Sequence, residues 1–124
     1  MTEHRKVQIE HVEFASKDPA ATHRFVEKAF GIKFQDMGTE MGNYLMHGSK
    51  EGAEHTSIGL RRLEAKENPG TVAYLTVPDI DVALKNVEGA GGKIMMGKTE
   101  IPGMGWSAVI WAPGDVVQGL YQMK

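Results

Sequence analysis

In "VQIEHVEFAS" (residues 7–16), His11 and Glu13 stand two residues apart, with Ile9 one step earlier. If this stretch is a strand, all three side chains leave one face, because successive strand residues point to opposite sides. An imidazole there can ligate a divalent ion, move a proton, or serve as a hydrogen-bonded structural group. The neighbouring carboxylate can share a proton with it or with a bound molecule. It can equally pair with a lysine or arginine, or reach water at a sheet edge. His47 and His55 could complete an improvised metal site, although sequence does not place them beside His11. The chain has no cysteine, which removes disulfides, thiolate chemistry and Cys-based zinc sites.

The elements that would position these groups follow from patterning. "VQIEHVEFAS" is rich in β-favouring residues and alternates, which predicts a strand. "KDPAATHRFVEKAFG" (17–31) predicts a helix, capped by Asp18 before Pro19, with Phe25, Ala29 and Phe30 as its apolar face and Gly31 as its stop. "IKFQDM", "NYLMH" and "TSIGLRR" predict three short strands, and "LEAKENPG" (63–70) reads as a polar linker. "TVAYLTV" (71–77) predicts another strand, and "PDIDVALKNVEGAGG" (78–92) a helix with Asp79 as N-cap. "KIMMGKTE", "WSAVIWA" and "VVQGLYQM" predict three closing strands.

The order βαβββ therefore occurs twice, and residues recur with it. Val26-Glu27, Ala29 and Gly31 reappear 61 positions later as Val87-Glu88, Ala90 and Gly92. "EMGNYLM" (40–46) is echoed by "GMGWSAV" (103–109), and "SIGL" (57–60) by "VQGL" (117–120). Three matches in one order indicate an internal duplication. The expected class is α+β, with two tandem βαβββ modules forming curved mixed sheets around a cavity. At 124 residues the chain reads as one domain, 1–124, with module one at about 7–62, a linker at 63–70 and module two at about 71–124. The formal net charge of −2 and the absence of a basic tract argue against nucleic acid or a membrane surface as partner. No apolar run approaches membrane-spanning length and "MTEHRKVQ" has no signal-like core, so a cytoplasmic location is expected.

"HVEFASKDPAATHRFVEKAFGIKF" (11–34), "VPDIDVALKNVEGAGGKI" (77–94), "KTEIPGMGWSAVIWAPGD" (98–115) and "GLYQ" (119–122) together resemble the vicinal oxygen chelate superfamily. That superfamily contains glyoxalase I, bleomycin-resistance proteins and extradiol dioxygenases. The resemblance implies half-open sheets enclosing a small-molecule cavity and, in metal-dependent members, a divalent ion held from the first and last strands of each module. It places the four ligand positions on His11, Val72, Gly59 and Gly119. One imidazole, one isopropyl group and two glycines fall short of the three or more donors a divalent ion usually takes. The expected cofactor is therefore none, with a divalent metal at His11 kept as the alternative.

Alternation from those positions turns Ile9, Glu13 and Ala15 inward with His11, and Tyr74 and Thr76 inward with Val72. It likewise turns Ser57 inward with Gly59, and Val117 and Tyr121 with Gly119. Glu13 in such a cavity is expected to have a raised pKa and to act with His11 as a catalytic acid–base pair. Tyr74, Thr76, Ser57, Gly59, Gly119, Tyr121 and Trp106 form the expected substrate pocket, the two glycines leaving room for a bulkier ligand. Trp106 and Trp111 are an odd number of residues apart, so one faces inward and one outward; Trp106 is placed in the pocket, with the reverse left open. The resemblance implies a homodimer that binds a small organic ligand. The function expected is small-molecule binding without the full metal site. The alternative is a lyase or isomerase using Glu13 and His11, or an improvised metal centre.

Overall fold

The computed structural model describes residues 7–48 and 56–124; His55 lies outside them. The chain divides into two compact units, one spanning His11–Val72, the other joining residues 7–10 to 73–124. The element order is βαβββ twice, giving the α+β class.

In the first half, β1 (Gln8–Ser16) leads into α1 (Pro19–Phe30), followed by β2 (Gln35–Asp36), β3 (Leu45–His47) and β4 (Ser57–Arg62). These strands lie in the order β2-β3-β4-β1, antiparallel except for the parallel pair β1–β4. In the second half, β5 (Gly70–Thr76), α2 (Ile80–Gly89), β6 (Lys93–Ile101), β7 (Gly105–Ala112) and β8 (Val116–Met123) repeat the plan, in the order β5-β8-β7-β6 with β5 parallel to β8. The duplicated register is close. Glu13 stands opposite Gly59 across β1–β4, as Tyr74 stands opposite Gly119 across β5–β8.

Local chemistry sets the helix limits. The Ala21 amide donates to the Asp18 carboxylate, Pro19 starts α1, and Gly31, at φ 72°, closes it with its amide donating to the Glu27 carbonyl. At α2 the Asp79 carboxylate accepts from the Asp81 and Val82 amides, while the Ile80 amide donates to Gln122 Oε1 of β8 at 2.8 Å. That last bond satisfies an amide that a helix N-terminus cannot pair internally.

Two expectations change. The apolar face of α1 is not the buried one: Phe25 and Phe30 are 61% and 68% exposed and meet edge to face, Ala29 is exposed, and Val26 is the buried residue. The strand expected at 32–37 shortens to two residues, because the Asp36 carboxylate accepts from the Gly38 amide and the Asn43 side chain. These bonds turn the chain through a short 3-10 segment, Thr39–Met41, helped by left-handed Gly42 and Asn43. Tyr44 emerges directly after that turn.

The second unit's core is Val77, Ile80, Ala108, Ile110 and Leu120, with Trp106 and Leu84 packed against it. Ile80 is fully buried. Truncation by Ile80→Ala is expected to cost about 2–5 kcal/mol in a urea unfolding titration, with m little changed.

Candidate functional site

The register of β1 against β4 sets His11 beside Ser57 and Glu13 beside Gly59, on one sheet face of the first unit. Arg61, two residues beyond Gly59, shares that face. Tyr44 reaches the same place from the turn before β3. A continuous chain of hydrogen bonds results. Ser57 Oγ lies 2.6 Å from His11 Nδ1, and His11 Nε2 lies 2.9 Å from Tyr44 Oη. The Tyr44 hydroxyl donates to Glu13 Oε2 at 2.5 Å, and Arg61 Nε donates to Glu13 Oε1. Arg61 also donates through both terminal nitrogens to Glu67, at 2.6 and 2.8 Å, and the Glu64 amide donates to Glu67 Oε1.

Burial grades along this chain. Glu13 is 3% and Glu67 7% exposed, whereas His11, Ser57 and Tyr44 are half-buried. Burial pushes the Glu67 carboxyl up, but the Arg61 fork and the Glu64 amide outweigh it and hold the group below its ordinary value. Burial also works against the Arg61 charge, yet its two carboxylate partners keep that guanidinium protonated far above neutrality. At His11, desolvation lowers the pKa below the usual histidine value and exceeds the opposing pull of Glu13. The imidazole is therefore neutral at neutral pH.

Strand alternation puts His11, Glu13 and Ser57 on one face; Tyr44, Arg61 and Glu67 are additions that the structure makes to the expected site. Arg61 continues the alternation through residues 57 and 59, so the signal was present. Glu67 falls in the segment read as a polar linker; a turn through left-handed Lys66 folds it back under Arg61. Gly59 does not open space as expected. A β-carbon there would overlap the Tyr44 hydroxyl and sit 2.9 Å from His11 Nε2.

The second unit holds the remaining expected residues. A β-carbon at Gly119 would overlap the Tyr74 ring, so that space is also filled. The Tyr121 hydroxyl donates to the Met104 carbonyl at 2.7 Å, burial raising its pKa, and Thr76 is the register partner of Tyr121. Trp106 differs from its expected placement: it packs on the α2 side with the core, and Lys98 stands 5.2 Å from its ring centre. Its alternation partners Ala108 and Ile110 belong to that core, which fixes the face. His47 is away from the chain of bonds, its Nδ1 2.8 Å from the Lys33 carbonyl. An open depression beside the start of α1, lined by Phe14, Lys17, Thr22 and Thr71 among others, includes none of the network's side chains.

A family model described as the Glyoxalase/Bleomycin resistance protein/Dioxygenase superfamily matches residues 8–110. The chain belongs to this superfamily. A comparison with curated proteins found no match. Solved structures share the fold at low identity. The methylmalonyl-CoA epimerase of Mycobacterium tuberculosis is similar at 17% identity and TM-score 0.65, over 100% of this chain and 93% of that one. A hypothetical protein from Bacillus halodurans C-125 is similar at 12% identity and TM-score 0.66, over 97% and 96%. The Mn(II)-bound glyoxalase of Novosphingobium aromaticivorans is similar at 21% identity and TM-score 0.64; the match covers 93% of this chain and 38% of the glyoxalase.

Against the superfamily's ligand positions, the residues present do not fit a resident ion. Both nitrogens of His11 are hydrogen-bonded, Val72 offers no donor, and Tyr44 and Tyr74 cover Gly59 and Gly119. Among the described residues no three His, Asp or Glu side chains gather as a metal site.

Two outcomes follow from this packing. Arg61→Met strands two buried carboxylates and is expected to cost about 3–5 kcal/mol by urea titration. The lowered pKa values of His11 and Glu67 mean that the unfolded chain binds protons more readily than the folded one. Stability from His11 is complete above about pH 6.5 and declines below it; that from Glu67 declines further into the carboxylate range. Thermal midpoints should fall from pH 7.5 to 5, and His11→Gln should flatten that part of the curve.

Proposed function

We propose that this protein binds a small organic molecule against the His11–Tyr44–Ser57 face of its first unit, without a resident divalent ion. One observation carries the reading. The Tyr44 hydroxyl stands over Gly59, between His11 Nε2 and Glu13, where a last-strand ligand would otherwise project. A half-buried imidazole, a phenol and a serine hydroxyl on a sheet face are the kind of polar groups that orient a ligand among apolar walls.

The enzymatic alternative, a lyase or isomerase in which Glu13 moves the proton, is less well supported by the geometry. Both Glu13 oxygens are committed, one to Arg61 and one to Tyr44. Similar structures include methylmalonyl-CoA epimerase in complex with methylmalonyl-CoA, which keeps acyl compounds among the ligand classes to try. We extend the proposal to a homodimer, which the superfamily resemblance suggests; the exposed Phe25–Phe30 pair on α1 is apolar surface suited to a second copy.

Elemental analysis of the purified protein, paired with thermal-shift screens, tests the reading. Stoichiometric metal should be absent, and Mn²⁺, Ni²⁺ or Zn²⁺ should leave the melting temperature unchanged. Planar aromatic, cationic or acyl compounds should raise it; a ligand at a hundred times its Kd adds about 2.7 kcal/mol. One bound ion per chain, lost in His11→Ala, would contradict the proposal.

A further inference from the structure

We propose that Ser57 is the nucleophile of an acyl-transfer site, with His11 as its general base and Tyr44 and Glu13 as the groups that hold the imidazole in the base-competent tautomer. This rests on the reading that the same face takes small organic molecules, and adds a reaction to it.

The direction of each hydrogen bond follows from the charged end of the chain. A guanidinium only donates, so Glu13 accepts from Arg61 at one oxygen, and its carboxylate accepts from the Tyr44 hydroxyl at the other. Tyr44 has one hydroxyl hydrogen, already given to Glu13, so its oxygen must accept from His11 Nε2–H. A neutral imidazole protonated at Nε2 has a bare Nδ1, and Ser57 Oγ–H lies 2.6 Å from it. A hydroxyl, a base within hydrogen-bond reach and a third group orienting that base is the arrangement that activates a serine. Here the ring nitrogens exchange roles and a phenol stands between imidazole and carboxylate.

The burial gradient suits this assignment. The two carboxylates of the ionic anchor, Glu13 and Glu67, are buried, whereas Arg61, His11 and Ser57 are half-buried. Ser57 is the first residue of β4, where a strand end can meet a ligand.

The fitting substrate class is an activated ester or thioester. Ser57 Oγ bonds to the carbonyl carbon while its proton passes to Nδ1. The imidazolium, two hydrogen bonds from the Glu13 charge, returns that proton to the departing alkoxide or thiolate as the C–O or C–S bond breaks. An acyl-serine remains. Water, giving a proton to the same nitrogen, attacks the acyl carbon, and release of the carboxylic acid restores the Ser57 hydroxyl. The balance needs only water.

The test treats the full chain with a fluorophosphonate and, separately, with p-nitrophenyl acetate, reading intact mass, peptide maps and released p-nitrophenolate. One phosphonyl adduct on Ser57 and a burst near one equivalent are expected, both lost in Ser57→Ala. His11→Gln should slow labelling about a hundredfold. Tyr44→Phe, which keeps nucleophile and base, should slow it less and move the midpoint of its pH profile. No adduct at Ser57, in protein that melts cooperatively and still responds to organic ligands, would overturn this inference and leave binding intact. No adduct and no ligand response would overturn both. Labelling of Ser57 at an equal rate in His11→Gln or Tyr44→Phe would show a merely accessible hydroxyl and would also overturn it.

Discussion

The guanidinium of Arg61, clamped between Glu13 and Glu67, is the contact on which the first unit's polar face is built. Arginine cannot give up its proton, presents a planar fork, and here meets one carboxylate with Nε and the other with both terminal nitrogens. Burying two carboxylates is unfavourable unless both are paired and hydrogen-bonded. The Glu64 amide and the Tyr44 hydroxyl complete that pairing, and among the described residues no buried side-chain nitrogen or oxygen is left without a partner. Because one end of the chain is ionic and fixed, the donor at every later link is fixed with it, through the phenol and the imidazole to a serine hydroxyl.

The duplication shows how two copies of one plan reached the same packing by different means. Glu13 and Tyr74 occupy matching places on the parallel strand pairs, each opposite a glycine. In the second half the Tyr74 ring itself lies over Gly119. In the first half that place keeps a carboxylate, and the covering phenol is brought in by the Asp36–Tyr44 turn. Both glycines are needed for close approach of a neighbouring side chain, not for an unusual backbone angle.

Much of the architecture was legible from period and punctuation. Alternation and capping residues located β1, both helices and the closing strands, because those signals are local. The buried face of α1 was not legible: Phe25, Ala29 and Phe30 outweigh Val26 in hydrophobicity, yet Val26 faces inward. In the site, alternation along β1 and β4 relates His11, Glu13, Ser57 and Arg61, since strand parity carries over many residues. Tyr44 and Glu67 come from turns, where parity does not hold and a side chain's direction depends on Asp36, Asn43 and Lys66. Trp106 could have been oriented only by knowing that Ala108 and Ile110 pack beneath α2.

The protonation state of the His11 ring reads the whole chain at once. A long-range ¹H–¹⁵N correlation spectrum at neutral pH, assigned by comparison with a His11→Gln sample, measures it directly. The hydrogen-bond chain predicts a neutral imidazole carrying its proton on Nε2, with Nδ1 at the chemical shift of an unprotonated, hydrogen-bonded nitrogen. A proton on Nδ1, or a ring nitrogen shifted as a metal ligand, would contradict it.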